Sequence, residues 1–182
     1  MRKFAFFVAL FLLVSGAARA EQNLVTGYHK EANGDVVVSY GDTKKTVTLR
    51  DVDAFVETIR KADVGETTNS AKDVQDIELA KDKTTLGWLV DYDICNASYP
   101  CPYALVVARD AKILRVITGD RFIWKWKFLK NGTEVAYQMG FPHGNPQATY
   151  ALYDVNKGKI LARASFDDKA LPAWTQGIIA ND

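Results

Sequence analysis

Tyr103-Ala-Leu-Val-Val-Ala-Arg-Asp-Ala-Lys-Ile-Leu114 returns forty-seven positions later as Tyr150-Ala-Leu-Tyr-Asp-Val-Asn-Lys-Gly-Lys-Ile-Leu161, with six of the twelve residues in common and no gap. Upstream, at an offset of forty-nine, Ile77, Leu79, Lys81, Asp82, Thr84, Leu86 and Trp88 face Trp126, Phe128, Lys130, Asn131, Thr133, Val135 and Tyr137. The chain carries one unit twice. A period of about 45 to 50 residues, cut into short runs by turn residues, is the spacing of propeller-type repeats. It defines an architecture without defining a chemistry.

Each copy reads as four strands. In the first they are Val74 to Ala80, Thr85 to Tyr92, Tyr103 to Arg109 and Ile113 to Thr118; in the second, Phe122 to Leu129, Glu134 to Met139, Thr149 to Val155 and Lys159 to Ala164. The first and third links are short, with Asn131-Gly132 and Asn156-Lys-Gly158 as turn residues, and the middle link is long, which is the pattern of an antiparallel meander. The two middle links, Asp91 to Pro102 and Gly140 to Gln147, are therefore expected at the same end of their sheets. The fold class that follows is mainly β: four-stranded antiparallel meanders repeated twice, blade-like or forming a sandwich, with one short helix in the N-terminal half.

That helix belongs to a smaller opening segment, residues 21–65. Asn23 to Lys30 and Asp35 to Tyr40 flank Asn33-Gly34, a strong hairpin signal because both turn residues accept positive φ, and Lys44 to Leu49 adds a third strand. From Asp51 to Ala62 the period changes. Val52, Phe55, Val56 and Ile59 fall at helical spacing, with Asp51 as cap, Asp53 in the first turn and Arg60 and Lys61 in the last. Glu66 to Lys72 reads as a polar linker before the first repeat (74–118), which the second (122–165) follows. In the tail, 166–182, Pro172 is placed to start a short turn, and Trp174, Ile178 and Ile179 are placed to pack back on the core.

Residues 1–20 read as an export signal: Arg2 and Lys3, an apolar run from Phe4 to Val14, then Ala18-Arg19-Ala20 as the cleavage pattern. The run is too short for a bilayer, which needs about 20 apolar residues. Residues 21–182 are then one soluble mature domain, periplasmic or secreted, with no integral membrane segment after cleavage. Loss of Arg2, Lys3 and Arg19 takes the formal net charge from +1 to below zero, and the remaining basic residues are scattered among acids. This argues against nucleic acid or an anionic membrane as partner. Cys95 and Cys101 are the two cysteines, and in an exported chain they read as a structural disulfide that pins the first middle link by roughly 2 to 2.5 kcal/mol.

The second unit contains Ile123-Trp-Lys-Trp-Lys-Phe128, Asn131-Gly-Thr-Glu-Val-Ala136, Tyr150-Ala-Leu-Tyr-Asp-Val155 and Gly158-Lys-Ile-Leu161. It resembles a blade of the TolB-like and WD-like β-propeller repeats of bacterial exported proteins. The resemblance spans about residues 74 to 165 and implies a binding or scaffold platform more than a catalyst. A closed propeller takes at least about four blades, and only two matching units are present.

Two loops at one end of a rigid sheet make a recognition rim. Asp91, Asp93, Asn96 and Tyr99 in the first link and Phe141, His143 and Asn145 in the second are the candidate ligand-binding residues, for a protein, small-molecule or glycan ligand. The competing reading is two surface loops, one stapled by its cysteines and one stiffened by prolines. Phe122, Trp124, Trp126 and Phe128 alternate with Ile123, Lys125, Lys127 and Leu129 and read as one aromatic face, either core or a platform for sugars or bases. Asp91-Tyr-Asp93-Ile-Cys95 fails as a calcium loop at the third ligand, and with His29 and His143 the only histidines no metal site is expected. Nucleophile-elbow, zincin and P-loop motifs are absent, so no catalytic residue and no cofactor are assigned. The leading expectation is a non-enzymatic exported binding module. The alternatives are a small envelope hydrolase with His143 as acid/base, and a carbohydrate-binding domain using the tryptophan row.

Overall fold

The computed structural model describes residues 24–55, 71–92, 101–119, 121–140 and 148–179. The expected export signal, the second half of the expected helix and most of both middle links lie outside the described residues. Among the described residues, eleven strands form three antiparallel sheets. The N-terminal sheet holds β1 (Gly27–Lys30), β2 (Val36–Tyr40) and β3 (Thr43–Val47) in the order β1-β2-β3. The middle sheet is a meander of β4 (Ala71–Leu79), β5 (Thr85–Tyr92), β6 (Pro102–Arg109) and β7 (Lys112–Thr118). The C-terminal sheet repeats that order with β8 (Phe122–Leu129), β9 (Glu134–Gly140), β10 (Thr149–Asp154) and β11 (Lys159–Ser165). Both copies of the repeat are thus four-stranded meanders of the same strand order.

The sheets stack face to face because β5 and β6 are apolar on both sides. Leu86, Trp88, Val90, Ala104 and Val106 meet Val36, Val38 and Val47 of the N-terminal sheet, while Leu89, Leu105 and Val107 meet Ile123, Val135, Tyr137 and Met139 of the C-terminal sheet. The continuous apolar runs of these two strands are what burial on both faces demands. The second copy follows the same rule one layer on. Val135, Tyr137, Ala151 and Val155, the counterparts of Leu86, Trp88, Ala104 and Ala108, also face the preceding sheet.

On the far face of the C-terminal sheet the counterparts of Leu89 and Val107 are Gln138 and Asp154. No fourth sheet stacks there among the described residues. The tail lies across that face instead, with Leu171, Trp174 and Ile178 against Ala136, Ala148, Tyr150 and Ala164. A 3-10 turn at Ala173–Thr175, following Pro172, sets its path. Lys125 Nζ donates to the Ile179 carbonyl at 3.2 Å and Lys127 Nζ donates to the Gln176 carbonyl. Lys125 stays exposed, as alternation expects of a wet face, while donating to the tail at its edge.

Three local readings change. The helix starts before Asp51: residues 49–55 are helical, Thr48 is the cap, and its Oγ1 accepts from the Asp51 N–H at 3.1 Å while Asp51 Oδ2 accepts from the Thr48 N–H at 2.9 Å. This reciprocal capping pair leaves Asp51 inside the first turn. Asp53 reaches outward, accepting from the Ala71 N–H at 3.0 Å and the Tyr92 hydroxyl at 3.3 Å, and so ties the helix to β4 and β5. β4 also begins inside the expected linker, at Ala71, since an edge strand tolerates charged residues such as Lys72 and Asp73.

The third change concerns the aromatic row. The pairing of β8 with β9 shifts between Ile123 and Lys125, leaving Trp124 as the extra residue of a bulge. Ile123, Trp126 and Phe128 consequently share the inter-sheet face, and the row splits into two edge-to-face pairs, Phe122 with Trp124 at 5.8 Å and Trp126 with Phe128 at 5.0 Å. Trp126 is 5% exposed, which favours core over a sugar-stacking platform at that position. β4 has the same device: its pairing with β5 shifts between Gln75 and Glu78, so Val74, Ile77 and Leu79 face the N-terminal sheet. Position by position these three are the counterparts of Ile123, Trp126 and Phe128.

Candidate functional site

Turn contacts fix how the two copies are oriented. The link between β4 and β5 packs on the link between β8 and β9: a Cβ on Gly132, whose φ is +84°, would lie 2.8 Å from Ala80 Cβ and 3.2 Å from Thr85 Cβ. At the third links, Arg115 Nη2 donates to the Asn156 carbonyl at 2.7 Å. The short links of both copies therefore gather at one end of the stack. The strand ends that flank the two middle links, Tyr92 with Pro102 and Gly140 with Thr149, are at the opposite end of their sheets.

Of the candidate rim residues, Asp91 lies within the described region, on β5. Asp93, Asn96, Tyr99, Phe141, His143, Asn145 and Cys95 lie outside the described residues. Cys101 begins the return into β6, is fully buried and is not a free thiol. The Tyr92 N–H donates to its carbonyl at 3.2 Å, so the base of the first link is closed by backbone pairing as well.

Asp91 is buried on the face turned toward the C-terminal sheet, and its Oδ1 accepts from the Gln75 side-chain amide at 2.6 Å. Burial pushes its carboxyl above the usual carboxylate range; the Gln75 hydrogen bond opposes this, Asp73 and Asp76 add to it, and Lys30 opposes it again. At Asp73, partial burial is outweighed by the Lys30 ammonium, 2.9 Å from both carboxylate oxygens, and by the Val74 N–H, so its carboxyl lies below the usual range. Asp91 is thus the member of this group that holds its negative charge at a cost.

A carboxyl whose folded pKa is raised contributes fully to stability below its unfolded pKa, and that contribution is lost as pH rises through the folded value. Asp91→Asn keeps an oxygen for Gln75 and removes the charge. Thermal melts should show the variant with a higher midpoint than the parent at about pH 7, and equal midpoints near pH 3, where the parent carboxyl is protonated in both states.

A groove that alternation did not reveal opens between the two bulged edge strands. It has a volume of about 330 Å³ and is lined by Asp76, Ile77 and Glu78 of β4, Lys125 and Trp126 of β8, and Gly177 of the tail. Asp76 takes φ = +51° in the β4 bulge, a conformation that Asp and Asn accept better than most residues. Burial, and next the charge of Asp76, raise the Glu78 carboxyl above its ordinary range. The signal for the groove was present in the spacing of Val74, Ile77 and Leu79, three residues and then two, which a regular strand does not produce.

Among the described residues no group of three or more His, Cys, Asp or Glu is placed to hold a metal ion, and no helix is long and apolar enough to cross a membrane. The class defined by this geometry is a mainly β protein of stacked antiparallel sheets, two of them four-stranded, with no closed barrel among the described residues. Comparison with protein-family models and with curated proteins returns no match.

Proposed function

We propose that the chain is an exported, non-enzymatic binding module of the blade-repeat type, which presents its two long middle links as one rim. The observation that carries this reading is that both links spring from the same end of a stack whose central strands are buried on both faces. A rigid base holds the ends of both links in place, and loops carried on a rigid scaffold are where recognition residues concentrate. In the TolB-like and WD-like reading, each copy of the repeat would be one blade, and each turns the same positions toward the sheet before it. A bond from Cys95 to buried Cys101 would hold the first link to that base, in keeping with the export signal read at residues 1–20.

The test replaces residues 93–100 and 141–147 by short Gly-Ser links, leaving the sheets untouched. The expected result is an unchanged far-ultraviolet spectrum, together with loss of the envelope components that the parent retains in a quantitative affinity capture. A folded variant that retains the same components at the same level would refute the rim.

A further inference from the structure

We propose that the tail is a displaceable cap, and that the face it covers on the C-terminal sheet is an interface for a second copy of this chain. The tail and the second copy compete for one surface. The fold already contains the packing that such a dimer needs. On the middle sheet, the face bearing Leu89, Leu105, Val107 and Ile117 is closed by a whole four-stranded sheet. The internal repeat puts Gln138, Leu152, Asp154 and Ala164 at the same positions one layer on, and there the cover is a single strap of chain.

That strap covers the face incompletely. Ile178 is fully buried, but Leu171 and Trp174 are only partly so, and Phe166, two residues beyond buried Ala164, is 38% exposed at the margin. The Phe166 N–H donates to the Ala148 carbonyl at 2.9 Å, which fixes its backbone at the end of the β10–β11 pairing, where a wider cover would bury the ring. Gln138 lies on β9 between Lys125 of β8 and Tyr150 of β10. It is 4% exposed, and its side-chain oxygen has no hydrogen-bond partner among the described residues. A buried acceptor is costly to leave unmade, so the present cover does not meet the needs of this face.

A two-fold interface presents the same patch from both chains, so its centre has to be self-complementary. A glutamine amide meets that condition because it carries donors and an acceptor. Across the axis, each Gln138 can donate to the side-chain oxygen of the other. With the axis along β9, β8 of one copy lies over β10 of the other, so Lys125 and Lys127, released from the tail carbonyls, approach Asp154 rather than each other.

The experiment places a protease site between Lys169 and Ala170 of the exported chain and follows mass by light scattering. The uncut protein should be a single chain. After cutting and removal of the 170–182 peptide the mass should double with an unchanged far-ultraviolet spectrum, and adding the synthetic peptide back should return it to one chain. Gln138→Glu in the cut protein should abolish the dimer at about pH 7, by setting two carboxylates against each other at the axis. Ile178→Asp in the uncut chain frees the tail without removing it, since an unpaired charge does not stay buried. Apparent affinity scales with the fraction of competent chains, so this variant should dimerise about tenfold more tightly than the parent, or better. The proposal is overturned if the cut chain stays folded and monomeric, if it forms aggregates of no fixed mass that the peptide does not disperse, or if the uncut parent dimerises equally well. Should the cut chain unfold, Ile178→Asp decides: a folded variant that is monomeric at every concentration overturns the proposal too.

Discussion

Trp88→Ala is expected to cost about 3 to 5 kcal/mol of folding stability, the largest loss from any single truncation in the chain. Trp88 is fully buried and stands across from Val106, with Leu86, Val90, Val36 and Val38 in the same cluster. The cavity left by an indole cannot close, because the surrounding β-branched side chains are held in strand rotamers on both sheets. Against a typical total of about 5 to 15 kcal/mol, this is roughly a fifth or more of the stability. The midpoint of thermal unfolding should fall by roughly 10 °C, and urea unfolding should show a lower midpoint with an unchanged slope. Trp88→Phe should lose much less, since it retains most of the ring area and removes an indole N–H that has no partner among the described residues. A loss under about 1 kcal/mol for the alanine variant would mean that the N-terminal and middle sheets do not share this core.

Sequence reasoning reached the strands because their boundaries are set by local chemistry. Asn33-Gly34, Asn131-Gly132 and Asn156-Lys-Gly158 are turns by backbone preference alone, and Thr85–Tyr92 and Phe122–Leu129 begin and end where expected. The duplication then supplied the strand order twice. What alternation missed is set by contacts between distant segments. A bulge inverts the side-chain phase without changing composition, so Phe122 and Trp124 were grouped with Trp126 and Phe128 although the extra residue separates them. Lys125 and Lys127 keep the solvated side that alternation gives them, but nothing in their own strand shows that the Ile179 and Gln176 carbonyls of the tail accept from them. Asp91 was placed in a rim for being polar beside a loop, whereas its carboxyl turns inward to Gln75. Asp76 and Glu78 were overlooked because only the bulge between Gln75 and Glu78, which sequence alternation does not show, sets their placement on β4.

Gly87→Ala is expected to destabilise the chain by about 1 to 3 kcal/mol, chiefly through its closest neighbour, Trp126. Gly87 lies on β5 between Leu86 and Trp88, facing the C-terminal sheet, in register with Glu78 and Val107. An added Cβ would fall 2.5 Å from Trp126 Cη2, 2.9 Å from Cζ3 and 3.0 Å from Phe128 Cζ. These are the edges of two rings locked edge to face with an interplanar angle of 82°, so neither can turn aside without striking the other. Relief has to come from the middle and C-terminal sheets separating. Trp126→Leu alone should also destabilise, by leaving a hole above Gly87, yet Gly87→Ala introduced into Trp126→Leu should cost little or restore stability, because the methyl now enters that hole. A double-mutant cycle by urea unfolding should give a favourable coupling on the order of 1 to 3 kcal/mol. Strict additivity would place Gly87 and Trp126 out of contact. It would also remove the face-to-face packing that holds the bulges of β4 and β8 on opposite sides of one groove.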